Sequence, residues 1–299
     1  MIFSRLLIVR ANGCSTAGGN PEAHETLTLV TGHFPVFPSF PAFDPAVRED
    51  FMRPEFFAGA DRLDAIRRAN RRRPVSVVEA FDLTPHMRRV ILRELAPSPD
   101  GPAGDEPARP AEWIKLHVPF SGSGRKHGRA YTIRQRAGGT LTIDMAVHGG
   151  LCAGWARQAR PGDRAEISGP RRGFKLAWPP GEVLMGADET GLAAVASILA
   201  GLPRQTRGAV WLEVPDEGDI QPLDAPPAVA IRFLPRRTEA PGQPLMRAMR
   251  EAPVAPATTV WVAAERTAAL ELREHFEAAL PGERVYTSGY WRLPCGVPR

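Results

Sequence analysis

The segment Arg129-Ala-Tyr-Thr-Ile-Arg134 combines basic, aromatic and hydroxyl side chains within six residues. Because side chains alternate along a strand, this segment has two predicted faces, one with Arg129, Tyr131 and Ile133 and the other with Thr132 and Arg134. A tyrosine ring can pack on a planar cofactor, and guanidinium groups can neutralise a pyrophosphate through paired hydrogen bonds. An ordinary barrel strand with surface arginines fits the same residues, so this segment alone leaves both interpretations open.

A second segment, His148-Gly149-Gly150-Leu-Cys152-Ala153, lies where a predicted strand ends in glycines and a helix begins. The free amides at the start of a helix are suited to binding phosphate. Taken alone, His148 is more often structural than catalytic, and Cys152 is more often a small buried apolar residue than a reactive thiol. The segment therefore predicts a phosphate-binding turn, and no catalytic side chain is assigned.

A third segment, Gly186-Ala-Asp188-Glu189-Thr190-Gly191, follows an apolar strand and opens a helix. Either Asp188 or Thr190 is suited to capping that helix through its side-chain oxygen. The spacing lacks the Gly-x-Gly-x-x-Gly pattern and does not end in Gly-Lys-Ser/Thr, so it predicts neither the common dinucleotide-binding turn nor a P-loop.

The elements that must position these segments divide the chain into three parts. Residues 1–72 show no sustained period and are predicted to be a poorly ordered or irregular extension. Residues 73–178 contain six short β-rich segments without intervening helices, which predicts a small antiparallel barrel. Residues 179–299 alternate apolar strands with helical segments, which predicts a parallel sheet with ligands at the carboxyl ends of its strands.

The charge of the chain favours anionic partners. The formal net charge is +5, and lysine occurs only at Lys115, Lys126 and Lys175, so arginine supplies nearly all of the basic side chains. Arginine binds phosphates and carboxylates better than lysine does, because its planar guanidinium group can donate two parallel hydrogen bonds. The arginine run at residues 67–73 lacks interleaved aromatic residues and fits a solvated helix face, so no nucleic-acid partner is predicted.

Cysteine usage and hydropathy bear on the compartment. The three cysteines, Cys14, Cys152 and Cys295, have no Cys-x-x-Cys spacing and no paired histidines, so no metal site is predicted. No apolar run approaches the roughly 18 residues of a membrane span, which indicates that no segment is integral to a membrane. These features favour a soluble protein of the reducing cytoplasm.

The order of the segments resembles that of the siderophore-interacting protein family, the flavin-dependent ferric-siderophore reductases related to ferredoxin reductases. The resemblance extends from about Arg73 to Arg292, and the collinear order of its marks is specific although each mark is weak. These marks are Leu83-Thr-Pro-His-Met-Arg-Arg-Val90, Trp113-Ile-Lys115-Leu, Arg129-Ala-Tyr-Thr-Ile-Arg134, His148-Gly, Trp155-Ala, Pro161-Gly-Asp163, Gly169-Pro170, Asp188-Glu-Thr190, Trp261-Val-Ala-Ala-Glu265 and Gly289-Tyr-Trp-Arg292.

The resemblance implies a six-stranded antiparallel Greek-key flavin-binding barrel followed by a parallel-sheet nucleotide-binding domain. It also implies that NADPH or NADH reduces bound FAD, that FAD reduces a ferric siderophore, and that a monomer releases ferrous iron in the cytoplasm. The implied cofactor-binding residues are Arg129, Tyr131, Thr132, Ile133, Arg134, His148, Gly150, Cys152, Ala153, Asp188 and Thr190. The implied substrate-binding residues are Lys115 and Arg236, which match basic positions suited to an anionic siderophore or a nicotinamide nucleotide phosphate.

The chain departs from the family pattern at the phosphate turn. The family usually has Gly-Pro-Ala-Ser-Arg-Trp there, whereas this chain reads Gly150-Leu-Cys-Ala-Gly154-Trp155 and so lacks a hydroxyl group and an arginine. Two alternatives therefore stay open. One is a flavin reductase with another acceptor, such as a ferredoxin or a quinone, and the other is a degenerate member that binds flavin or siderophore without turnover.

Overall fold

The structure is a computed structural model that describes residues 70–96, 107–119, 126–173 and 181–293. The predicted extension therefore lies outside the described residues except for Asn70–Arg72, and its irregular character stays a prediction. The proposed boundary at residues 178 and 179 also falls outside the described ranges.

The first part of the described chain is a closed antiparallel barrel with the strand order β1-β2-β5-β4-β3-β6. This arrangement confirms the predicted six-stranded barrel. The strands are β1 (Arg73–Thr84), β2 (Met87–Glu94), β3 (Trp113–Pro119), β4 (Lys126–Ala137), β5 (Thr140–Ala146) and β6 (Arg164–Arg171).

Alternating apolar residues build the interior of this barrel. Val90 and Leu92 of β2 and Ile114 and Leu116 of β3 are fully buried in one core, as the period of two along a strand requires. Helix α1 (Leu151–Gln158) contributes Cys152 and Ala156 to the same core. The helix therefore rests on the barrel, with its amino end beside β4.

The second part is a parallel sheet with the strand order β11-β10-β7-β8-β9, which confirms the predicted α/β domain. One apolar cluster joins the sheet to α2, and a second joins its other face to α3 and α4. The elements are β7 (Glu182–Ala187), α2 (Leu192–Gly201), β8 (Arg207–Val214), β9 (Ala228–Pro235), α3 (Gln243–Arg250), β10 (Thr258–Glu265), α4 (Arg266–Glu277) and β11 (Val285–Trp291).

Two buried carboxylates hold the starts of the helices on this sheet. Glu213 at the end of β8 accepts hydrogen bonds from the backbone N–H groups of Gly242 (2.8 Å) and Leu245 (3.1 Å). Glu265 accepts from the N–H of Thr267 (2.6 Å) at the start of α4. An anion at a helix amino terminus satisfies free amides and complements the helix dipole. Within the described ranges, no helix is long and apolar enough to cross a membrane.

The barrel and the sheet contact each other at two places in the described chain. Helix α2 packs against β4, and Ser197 of α2 accepts a hydrogen bond from the N–H of Ala111 (2.8 Å). Beyond β8, buried Asp219 accepts from the Thr84 hydroxyl (2.7 Å) and from the N–H of His86 (2.9 Å) in the turn between β1 and β2. These contacts hold the barrel against the second domain.

Candidate functional site

Strand β4 and the amino end of α1 bring together several residues that the sequence assigned to a cofactor. Arg129 is exposed and donates to the carbonyl of Gly128 (3.1 Å), and its charge acts on both His148 and Cys152. Tyr131 packs against the barrel core, and burial raises the pKa of its phenol. A guanidinium group and an aromatic side chain therefore lie near the start of one helix.

The turn before α1 leaves that helix start available to a ligand. Gly150 is the N-cap, and among the described residues no side chain caps the helix there. The amides of Leu151, Cys152 and Ala153 have no acceptor inside an α-helix, because the first turn lacks a preceding carbonyl. The ring of His148 lies over Gly150 and occupies the space that a side chain at position 150 would use.

His148 and Cys152 are poorly suited to nucleophilic chemistry. His148 Nδ1 accepts a hydrogen bond from the N–H of Gly150 (2.9 Å), and partial burial followed by the charge of Arg157 lowers its pKa. The imidazole is therefore neutral at pH 7, with its proton on Nε2. Burial raises the pKa of the Cys152 thiol, whose sulfur lies 3.8 Å from the carbonyl oxygen of His127. Both groups shape the turn and remain uncharged.

The remaining predicted residues of β4 have different surroundings. Ile133 is fully buried in the barrel core, whereas the buried Thr132 lies close enough to Tyr290 of β11 for their hydroxyl groups to interact. Arg134 lies with its Nε 3.7 Å from Asp144, and burial lowers its pKa. That Nε is buried and has no hydrogen-bond partner among the residues that the structure describes. Arg134 thus lies beside Asp144 of β5.

The carboxyl end of β7 holds a buried acid. Asp188 accepts hydrogen bonds from the N–H of Thr190 (2.9 Å) and from the indole N–H of Trp291 (2.7 Å). Burial, and after it the charge of Glu189, raises the pKa of Asp188 to about 7. The predicted helix cap is wrong, because Gly191 is the N-cap of α2 and receives no side-chain hydrogen bond within the described chain. Asp188 instead fastens β11 to the carboxyl edge of the sheet.

The two predicted substrate-binding residues lie in different surroundings. Arg236 forms a bidentate pair with Glu189 (2.7 and 2.8 Å), and its pKa is raised because this pairing outweighs the effect of burial. Lys115 is exposed on β3 and lines a cavity of about 650 Å³ beside Arg129. The structure therefore places Lys115 next to the proposed cofactor residues and Arg236 next to Asp188.

The Lys115 cavity contains residues that the sequence analysis did not assign. His117 lies on the same face of β3, its Nε2 is 3.1 Å from the Ser168 hydroxyl, and burial followed by the charges of Arg72 and Lys115 lowers its pKa. Arg171 and Tyr290 line the same cavity. The period of two in β3 was a usable signal for His117, whereas the approach of Tyr290 depends on the packing of two domains.

These residues suit a flavin dinucleotide. Unclaimed helix amides and exposed Arg129 match a pyrophosphate, and Tyr131 offers an aromatic contact to a planar ring. Three basic side chains, Lys115, Arg129 and Arg171, line the Lys115 cavity, and the neutral ring of His117 lies beside them. An anionic electron acceptor therefore fits next to the cofactor position.

Two family models match the described domains. Residues 95–174 match the siderophore-interacting FAD-binding domain, and residues 180–294 match the siderophore-interacting protein model. Ferric vibriobactin reductase ViuB of Vibrio cholerae is 31% identical over 173 residues, which cover 55% of this chain and 64% of that relative. The match thus spans slightly less than two thirds of that relative.

Two solved structures are similar along nearly their whole length. A siderophore utilization protein from T. fusca is 30% identical with a TM-score of 0.66, covering 76% of this chain and 94% of that one. The siderophore-interacting protein SipS from Aeromonas hydrophila is also 30% identical, with a TM-score of 0.62, covering 75% of this chain and 100% of that one.

Proposed function

Because this chain belongs to the siderophore-interacting protein family, we propose that it is an FAD-dependent reductase that transfers electrons from NAD(P)H to ferric iron in an anionic siderophore. The observation that carries the proposal is the meeting of Arg129 and Tyr131 with the uncapped start of α1, next to the cationic Lys115 cavity. Bound FAD supplies hydride acceptance and single-electron donation, so one NAD(P)H reduces two ferric ions.

In this proposal the side chains and backbone amides of the protein bind and orient the flavin and the anionic chelate. Arg129 and the first amides of α1 bind the pyrophosphate, and Tyr131 orients the flavin ring. The positive charges of Lys115, Arg129 and Arg171 attract the anionic chelate, and the neutral ring of His117 lies beside them. Oxygen ligands hold ferrous iron less tightly than ferric iron, so reduction releases the metal.

The carboxyl edge of the sheet is the proposed nicotinamide side. Asp188 holds Trp291 and Thr190, which keeps β11 and its Tyr290 next to β4. The proposed substrate contact of Arg236 requires its pair with Glu189 to open. All of these residues come from one chain, so we expect a monomer to suffice, and we place the reaction in the cytoplasm.

The same turn also supports a second candidate, a protein that binds its ligand without turnover. Residues Leu151–Gly154 offer no hydroxyl group and no charge to a phosphate. The two candidates differ in a direct observation, because the reductase reconstituted with FAD oxidises NAD(P)H in the presence of a ferric chelate and the binding protein does not.

We expect Lys115→Gln to raise KM for an anionic ferric catecholate about tenfold, because a charge-assisted contact is lost. The KM for an uncharged ferric hydroxamate should change little. Steady-state NAD(P)H oxidation by the FAD-loaded protein measures both. Lys126→Gln is the matched control, since Lys126 is paired with Glu166. If Lys115→Gln and the parent protein have equal KM values for the catecholate, Lys115 is not part of the acceptor site. If the parent oxidises no NAD(P)H with either chelate, the proposed reductase activity is wrong.

A further inference from the structure

We infer that His117 couples the binding of an anionic ferric chelate to the uptake of a proton, so that the protein binds such a chelate more tightly in mildly acidic solution. The inference rests on the proposed function and adds a response to pH at its Lys115 cavity. The position of the imidazole carries it, because His117 lines this cavity two residues beyond Lys115 on the same face of β3.

The imidazole of His117 can hold a second proton without leaving a polar group unsatisfied. Its Nε2 lies 3.1 Å from the Ser168 hydroxyl, which can donate to the neutral ring and accept from the charged one. Its Nδ1 lies over Gly128, the residue directly opposite on β4, and occupies the space that a side chain there would use. All three residues line the Lys115 cavity, so an oxygen of a bound chelate can accept from the charged ring.

The charged groups around His117 keep its ring neutral in the free protein. Burial lowers its pKa most, and the charges of Arg72, Lys115 and Lys126 lower it further, whereas Glu166 opposes them. The carboxylate of Glu166 is itself paired with Lys126 and lies 3.4 Å from Arg72. Three cations and one paired acid therefore act on the imidazole from β3, β4, β6 and the residue before β1.

An anionic chelate reverses this balance of charge. Its negative charge offsets that of Lys115 and of Arg129 and Arg171, the other basic residues that line the cavity, and so favours the charged form of His117. A ligand that raises the pKa of a group takes up a proton on binding, and by linkage it binds more tightly as the pH falls. An uncharged chelate has no such effect on the imidazole, so its affinity should not depend on this proton.

Isothermal titration calorimetry measures this coupling in the full-length protein reconstituted with FAD, without nicotinamide, so that no iron is reduced. The probe is a hexadentate ferric tris-catecholate with three negative charges, titrated at pH 6.5 in two buffers that differ in ionisation enthalpy. We expect the parent to take up about 0.2 to 0.8 proton per chelate bound, and its Kd to rise about three- to tenfold from pH 6.5 to pH 8.

The His117→Gln variant should take up no proton at pH 6.5. Its Kd should agree with that of the parent within about twofold at pH 8, where both side chains are neutral, and exceed it at pH 6.5. A purely structural role would instead raise the Kd equally at both pH values, and that result would overturn the inference. His117→Asn, which also offers a polar group to Ser168, repeats the test if the unfolding temperature shows that the glutamine variant is not folded.

His127→Gln is the matched control for a second histidine in the same region. His127 lies on β4, and burial followed by the charges of Arg129 and Lys115 lowers its pKa, but it does not line the cavity. Proton uptake should therefore persist in this variant. If the uptake disappears in His127→Gln and persists in His117→Gln, or if the parent binds the chelate without uptake, the inference is wrong and the acceptor site stands. A parent that binds no anionic chelate would contradict the proposed function as well.

Discussion

The Arg129→Ala variant is expected to purify with little flavin and to bind FAD about ten- to hundredfold more weakly than the parent protein. Arg129 is exposed next to the start of α1, so its guanidinium is available for a charge-assisted contact with the pyrophosphate. Loss of a hydrogen bond to a charged group costs about 1.5 to 3 kcal/mol, which corresponds to this range of Kd.

The matched control for Arg129 is Arg93→Ala, because Arg93 is an exposed arginine on β2 of the same barrel. Flavin content after purification and FAD titration of the flavin-free protein measure the effect. Equal flavin content and equal Kd in the Arg129 variant and the parent would show that Arg129 does not contact the cofactor.

The Asp188→Asn variant is expected to lose a large pH dependence of stability. Burial, followed by the charge of Glu189, raises the pKa of Asp188 to about 7, whereas an unfolded aspartate titrates near pH 3.9. A raised folded-state pKa contributes stability that is fully present below about pH 4 and is lost as the pH rises through about 7. The parent should therefore lose on the order of 4 kcal/mol relative to the variant across this interval, from about 1.4 kcal/mol per pKa unit.

Urea unfolding of parent and variant at several pH values between 4 and 8 measures this difference. Asparagine is neutral like protonated Asp188 and keeps one of its two acceptor oxygens, so the two stability curves should diverge as the pH rises from 4 to 8, with the parent losing stability. Asp224→Asn is the control, because Asp224 is an exposed carboxylate in the same domain. Parallel curves for Asp188→Asn and the parent would mean that Asp188 is ionised throughout the range.

The barrel and most of the sheet were predictable because their strands obey local rules. Val90 and Leu92 occupy alternate buried positions of β2, and β10 contains an apolar run, Val260–Ala264, that is buried on both faces. Helix α3 and strand β11 were not identified from the sequence. Helix α3 has only eight residues, fewer than the window over which a helical period is recognised, and β11 is an edge strand with exposed Gly289 and Tyr290.

The residues of the candidate site could be identified from the sequence where they lie in one short segment. They could not be identified where the site depends on contacts between the two domains. Arg129 and Tyr131 are close in sequence to each other, and the glycines before α1 mark the turn that they face. The bond from Trp291 to Asp188 joins residues far apart in the chain, so no local pattern contains it. The pairing of Arg236 with Glu189 has the same origin, because a sequence shows a basic residue but not the acid opposite it.

The central claim is that NAD(P)H electrons pass through a flavin on this barrel to chelated ferric iron. The most direct test is anaerobic mixing of the FAD-loaded protein with NADH or NADPH and a ferric catecholate, with a ferrous-specific chelator present to trap the product. The account predicts that about two ferrous ions form for each nicotinamide oxidised and that omission of FAD or protein stops the reaction. Nicotinamide oxidation without ferrous iron, or ferrous iron formation that does not require FAD, would contradict it.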